Sequence, residues 1–466
     1  MAKRQFVAVA LGALVAGACG SVANLPADAG GGSIDAPPGS SPDARPVDVD
    51  AGAAIDGPVA NPRGTVKVTV VDPSGSGVPA VGVTVVFIDP DGTVVKTAST
   101  DSTGKLSADV LPGASVTAVL PAAGSFRLRT MLAVAPGDDL VIGPKVTDLQ
   151  PMGTFTLSWP DSPIHATTFS VYGPCGLAGI TTFDPAGTSP TAPTTLTFGV
   201  PRGCRPDPAE FMVWARGQQG ISLHFNDAVA VPFAPGGTAT LPNLWKGTGP
   251  GAFTASYTNI SLSTKITADR IVPDGGRSAP LSQSAADPIS FSLGGPVGPT
   301  ARMVSQFTAN SGATQTVRQK LPGTATTYAL NVGESLLAWI NRPTFDAATQ
   351  ELHIVEIAAN AGGAPKADLL KLLATWQRAG VQYTWEVFGP DATTVKLPVL
   401  PAAAGAGLNP AASDTIQAVA TSYEADIISG YDAVRSNVGV AITDIFEAPR
   451  SAAALIRISN SPPPPP

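Results

Sequence analysis

Polar and apolar residues alternate one by one along much of this chain. Val66, Val68 and Val70 are interleaved with Thr65, Lys67 and Thr69, and Val81, Val83, Val85 and Phe87 repeat the pattern. A period of two puts one set of side chains on each face of a strand. Asp72-Pro73-Ser74-Gly75 follows the first run and Asp89-Pro90-Asp91-Gly92 the second. Both are turn sequences: Asp bonds its own backbone, Pro presets φ, and Gly takes positive φ. Thr100-Asp101-Ser102-Thr103-Gly104 and Leu111-Pro112-Gly113 punctuate the next stretch, and Phe253 to Tyr257 and Phe291 to Leu293 alternate further on. One segment departs from this. Leu369, Leu372, Leu373 and Trp376 have helical spacing, with Pro365 before and Gly380 after, which taken alone reads as a helix.

A repeat bears on that segment. Residues 159–174 read WPDSPIHATTFSVYGP, and residues 376–390 read WQRAGVQYTWEVFGP. After a one-residue gap both carry Thr, an aromatic residue, any residue, Val, an aromatic residue, Gly, Pro. Each copy predicts a Trp-ending strand that turns back into an aromatic strand stopping at Gly-Pro. The repeat therefore favours a strand over 369–376, as in Phe155-Thr156-Leu157-Ser158-Trp159. An inward Trp between two sheets resembles the core of immunoglobulin-like and fibronectin-III-like sandwiches. The expected modules are 149–248 and 345–460, with a further β module between them at 249–344.

Composition agrees with an all-β chain. Charged residues are 14%, against about 25% in an average soluble protein. Glu occurs seven times and Asp 28 times; Asp favours turns and Glu favours helix interiors. The expected fold is thus all-β, with tandem β-sandwich modules. Net charge is −7 with no basic cluster after the first residues, so nucleic acid is not an expected partner.

The N-terminus is of another kind. Lys3 and Arg4 precede an apolar run from Phe6 to Val15 that is too short to span a bilayer. Ala16-Gly17-Ala18 then leads into Cys19. The arrangement resembles the lipobox of bacterial lipoproteins, although Ala16 stands where that family usually has Leu. The resemblance implies cleavage of a signal peptide, 1–18, and lipidation of Cys19, anchoring the chain to membrane; the alternative is an ordinary cleavable signal with an incidental Cys. Gly20, where Asp would signal inner-membrane retention, points to the outer membrane. With Cys19 lipidated, Cys175 and Cys204 remain as a pair for a disulfide in an oxidising compartment; two free thiols are the alternative. Residues 19–63 hold six Asp, two Arg and no aromatic residue. Such a segment cannot bury enough apolar surface to order itself, and predicts a disordered acidic tether. Residues 461–466 form a polyproline tail, either a partner's ligand or a frayed end.

The first module, 64–148, resembles the carboxypeptidase-regulatory-like, transthyretin-like β-sandwich. The residues that carry this are Val66-x-Val68-x-Val70-Val71-Asp72, Gly82-Val83-x-Val85, Asp91-Gly92, Thr100-Asp101-x-x-Gly104 and Leu111-Pro112-Gly113. The resemblance implies a prealbumin-like fold in a structural or adhesive accessory role, without catalytic residues.

Chemistry is sparse. His165, His224 and His353 have no metal-ligand spacing around them, and no Walker loop, nucleophile elbow or HExxH motif occurs. Glu351 and His353 share a strand face and read as solvated. Glu351 and Glu356 lie at odd spacing, on opposite faces, which speaks against a glycosidase pair. Asp89, Asp91 and Asp101 are turn residues or, less simply, Ca²⁺ ligands. Trp214, Trp245, Trp339 and Trp385 are core residues or a sugar-stacking surface. No cofactor is expected. The leading expectation is a non-enzymatic lipoprotein of surface structure or adhesion. A polysaccharide- or protein-binding module is the alternative, and a cryptic hydrolase the remote one.

Overall fold

Alternation became strands at 65–70, 253–257 and 291–293. The run from Val81 begins in a turn and becomes a strand only at Thr84. The strands pair far across the sequence. The computed structural model describes residues 62–464, leaving out 73–77, 123, 144–150, 162–165, 174–175, 183–193, 202–208, 218–222, 243–244, 248–250, 261–262, 273–274, 283–287, 296–299, 323–324, 358–364, 437–445 and 447–453. The signal segment, nearly all of the tether, Cys19, Cys175, Cys204 and His165 lie outside the described residues. The architecture is all-β, with short helices at Val332–Ser335 and Gly430–Arg435.

One sheet of twelve strands organises the fold. In spatial order it runs Gly275–Ser282, Ser263–Val272, Thr300–Ala309, Thr314–Pro322, Leu455–Asn460, Gln417–Ala425, Leu369–Arg378, Val381–Gly389, Ser125–Val134, Ala114–Ala122, Thr84–Ile88 and Val94–Ser99. Strands from 64–148, 249–344 and 345–460 thus share one hydrogen-bonded ladder. The first junction is parallel, from Gln382 opposite Ser125 to Phe388 opposite Met131. The second is antiparallel, Thr314 to Gln319 against Asn460 to Leu455. Consistent with this, residues 60–466 form one compact unit.

Three smaller sheets cover the large one. Lys105–Val110, Gly64–Val70 and Asp139–Ile142 bury Val66, Val68, Val70 and Leu140 against Val85, Phe87, Val116 and Phe388. Ile289–Gly295, Gly251–Thr258 and Thr327–Asn331 bury Phe253, Tyr257 and Tyr328 against Ile266, Met303 and Phe307. On the face opposite the first of these sheets, Thr344–Asp346, Glu351–His353 and Thr394–Lys396 bury Leu352 and Val395 with Leu372, Trp376 and Trp385.

Region 149–248 is different: its sheets contain only its own strands. One is Gly176–Thr182, Ala166–Gly173, Ala209–Gly217, Leu223–Val231 and Lys246–Gly247; the other is Thr195–Pro201, Pro151–Ser158 and Thr238–Thr240. Phe155, Phe169, Phe211 and Phe233 fill the space between them. The five-stranded sheet also turns Met212 and Trp214 into the core of the 249–344 region.

The two copies of the repeat fold differently. Leu369–Arg378 and Val381–Gly389 form the expected hairpin, so the helix-like spacing of Leu369 to Trp376 yields to a strand. Ala379 (φ 51°) and Gly380 (φ 80°) close it; two successive positive φ values make the turn whose twist matches a hairpin. The expectation of the same hairpin at 159–174 is corrected. Pro151–Ser158 and Ala166–Gly173 belong to facing sheets. Their connection contains Pro160 and Pro163. Neither has an N–H for a ladder, and a proline disfavours helical and tight-turn backbone in the residue before it.

The tail is also corrected over its described part. Ser461 continues the ladder, its N–H donating to Ala420 O at 2.9 Å and its Oγ accepting from Ala420 N at 2.9 Å. The Arg342 guanidinium then donates to Pro463 O.

Candidate functional site

The residues singled out from the sequence do not converge. Glu351 and His353 share a strand face as expected, with Nε2 of His353 3.9 Å from Glu351 and Thr394 Oγ1 3.4 Å from Nδ1. Both are part-exposed, and 3.9 Å is beyond hydrogen-bond reach between them. Glu356 sits in a separate two-stranded sheet with Trp339–Ile340. Its carboxyl is raised by burial and by the charge of Asp391.

The candidate Ca²⁺ ligands are turn residues instead. Asp91 accepts from Thr93 N at 2.9 Å. Asp101 accepts from Thr103 N at 2.8 Å, Thr103 Oγ1 at 2.7 Å and Lys105 N at 3.0 Å. The Lys105 N–H, with Thr103, holds the Asp101 carboxyl below its ordinary value. Asp89 is buried, pairs with Arg63 and accepts from Leu111 N at 3.0 Å. Among the described residues no group of three His, Cys, Asp or Glu side chains is placed to hold a metal ion.

Of the two readings of the Trp residues, the core one holds. Trp159, Trp214, Trp339, Trp376 and Trp385 are all buried. Trp245 is half-buried, with its Nε1 donating to Pro160 O at 3.1 Å. Trp385 Nε1 donates to Thr130 Oγ1 at 2.8 Å, across the parallel junction. These rings are core.

What the fold does gather is a cluster at the start of the last strand. Alternation on Leu455–Asn460 sends Ile456 and Ile458 toward one face, and Arg457 and Ser459 toward the other. Arg457 is buried. Its Nη1 donates to Glu424 Oε2 and, at 2.5 Å, to Asp426 Oδ1, and its Nε donates to Ser335 O at 2.8 Å. Asp426 Oδ2 accepts from Leu455 N at 2.9 Å. Nearby Asp368 accepts from Ala425 N at 2.9 Å and Gly430 N at 2.7 Å.

One guanidinium therefore pairs with a largely buried carboxyl, Glu424, and an exposed one, Asp426, with the buried Asp368 nearby. Burial pushes the Glu424 carboxyl up to about 7, although Arg457 pulls the other way. Burial also raises Asp368 against its two backbone donors. For Arg457, burial works against the charge, yet hydrogen bonds to Asp426 and Glu424 leave it above its ordinary value. These oxygens are spent on internal donors, which fits a structural role better than a reactive one.

The cluster also fastens a strap. The segment from Ser335 to Ala338 crosses the sheet with its carbonyls held by side chains: Ser335 O by Arg457, Leu337 O by Gln315 Nε2 (2.8 Å) and Ala338 O by Ser459 Oγ (2.8 Å). Sequence reasoning passed over this site. Its only signals were Glu424-x-Asp426 and an Arg inside an apolar run, and nothing local joins them.

No known protein family matches the sequence, and no curated protein does. Solved structures share it only faintly. The Bacillus anthracis TIE protein is 11% identical over 58% of this chain and 50% of its own, with a TM-score of 0.16. BcpA, the major pilin subunit of Bacillus cereus, is 10% identical over 58% of this chain and 99% of its own, at 0.15. The pilus adhesin SpaC from Lactobacillus rhamnosus GG is 10% identical over 71% of this chain and 44% of its own, at 0.14. The chain thus spans half the length of the first of these, and values this low carry no functional weight.

Proposed function

We propose that this protein is a lipid-anchored, non-catalytic β protein of the bacterial outer membrane, serving surface structure or adhesion. The observation that carries the reading is Cys19, set directly after a short apolar run and Ala16-Gly17-Ala18. Diacylation there gives stable attachment, since each buried CH₂ contributes about 0.8 kcal/mol. The acidic, Pro-rich stretch that follows suits a spacer between membrane and folded part. The large shared sheet, with Arg129, Glu386, Glu424 and Arg457 paired internally, suits a rigid display body. Membrane fractionation of cells expressing Cys19→Ala tests the anchor. The reading expects the variant in the soluble fraction; retention with membranes defeats it.

A further inference from the structure

The contacts of Arg457 and Asp426 join the last strand to other elements. Arg457 reaches back to Ser335 in the strap and across to Glu424 on the neighbouring strand. Asp426 holds the first amide of the strand, Leu455 N. Asp368 ties the end of the Gln417–Ala425 strand, at Ala425 N, to the start of the Gly430–Arg435 helix. The strand itself is central, pairing with Thr314–Pro322 on one side and Gln417–Ala425 on the other. Without it the twelve-stranded sheet falls into two parts.

The charge balance of this cluster is uneven. The groups facing Glu424 are Arg457 from the last strand, Asp426 from the turn after its own strand, and Asp368 from the segment before Leu369. Tyr328, buried on the strand Thr327–Asn331, faces Arg457 with a neutral phenol. Glu424 and Asp368 are largely buried beside a single cation whose charge is also drawn on by the exposed Asp426. The native arrangement therefore favours keeping one proton on one of the two sheltered carboxyls.

We propose that the Arg457 cluster is a proton-operated lock on the last strand, closed while one of the Glu424 and Asp368 carboxyls is protonated and loosened when both are ionised. The direction follows from linkage. A carboxyl held at about 7 in the folded chain, against an ordinary 4.5, contributes stability that is complete below the lower value. That stability is lost as pH rises to the upper one, by up to about tenfold in the opening equilibrium per pH unit.

Hydrogen exchange of the full chain between about pH 5 and about pH 8, corrected for intrinsic rates, tests this. In the wild type, protection of residues 455–461 falls with rising pH and levels off near neutrality. In Glu424→Gln the slope is smaller by about one proton, and the strand Pro151–Ser158 follows neither trend. Equal slopes in both proteins, or the same trend in Pro151–Ser158, overturn the proposal. Should the variant not fold, carboxyl NMR of glutamate-labelled wild type decides, because the chain has only seven Glu. The assigned Glu424 signal titrating near neutrality supports the lock; Glu424 titrating in the ordinary acidic range refutes it.

Discussion

The segments 159–174 and 376–390 share a residue pattern and end in different architectures. In the second, Trp376 lies opposite Tyr383 in a hairpin, rings 5.1 Å apart and 4° from parallel. In the first, Trp159 meets Phe169 across the gap between two sheets, at 5.8 Å and 34°. The shared aromatic and Val positions specify a strand with an inward face. The connection specifies which sheet that strand joins. Ala379-Gly380 supplies a two-residue turn with positive φ, and Arg378 anchors it by donating to Gly407 O (2.8 Å), Asn409 O (2.9 Å) and the Asp414 carboxylate. In the first copy Pro160, with no N–H for a ladder, directly follows Trp159.

The variable position in the pattern follows the surroundings. Ser170 is buried beside Trp214, on a sheet packed on both faces. Its counterpart Glu386 is part-exposed and pairs with Arg129 at 2.5 Å and Lys371 at 3.2 Å. A carboxylate is tolerated there because two cations face it and water reaches it.

The largest effects should come from the rings. Trp385→Ala and Trp159→Ala should each lower stability by roughly 3–5 kcal/mol in denaturant unfolding, as buried Trp truncations do. They should differ in reach, the first loosening the shared sheet and the second confined to 149–248, as read by hydrogen exchange. Only the first copy's region carries cysteines beyond Cys19. A Cys175–Cys204 bridge, closing about 30 residues, is expected to contribute roughly 3 kcal/mol. Intact mass should show the loss of one hydrogen pair, and reductant should lower the thermal midpoint. Gly380→Ala, at a φ of 80°, should destabilise by about 1–2 kcal/mol, whereas Pro160→Ala should stay within about 0.5. Equal effects at the two sites would break the explanation by turns.

The smallest effect concerns the hairpin's anchor. The hydrogen bond from Arg378 holds the Asp414 carboxyl below its ordinary value. Stability from this pair is therefore present above the ordinary carboxylate range and lost as pH falls through the depressed value. Asp414→Asn should lower the thermal midpoint near neutrality by a few degrees, equivalent to about 1 kcal/mol. It should also flatten the decline toward acid.

Legibility in the sequence followed sequence distance. Strand identity at Val66 to Val70, or at Leu369 to Trp376 once the repeat was weighed, rests on neighbours two apart and could be read. So could the turns, because Asp91 and Asp101 bond amides two to four residues away. The pairing of Ser125 with Gln382 could not, since a parallel junction between distant segments needs no local turn and leaves no local mark. The Arg457 cluster was hidden for the same reason: Asp368, Glu424 and Arg457 meet only after three strands have docked. The Trp residues show the converse. Their identity suggested either core or ligand surface, and packing alone decided for core.

The central claim is that three regions far apart in the sequence share one sheet and unfold with it. Native-state hydrogen exchange across a denaturant series tests that directly. Amides of Ser125–Val134 and Val381–Gly389 should converge on a single opening free energy, with Ala166–Gly173 free to follow its own. If Ser125–Val134 opens at a lower free energy while Val381–Gly389 stays protected, the shared sheet is not a cooperative unit and the account is wrong.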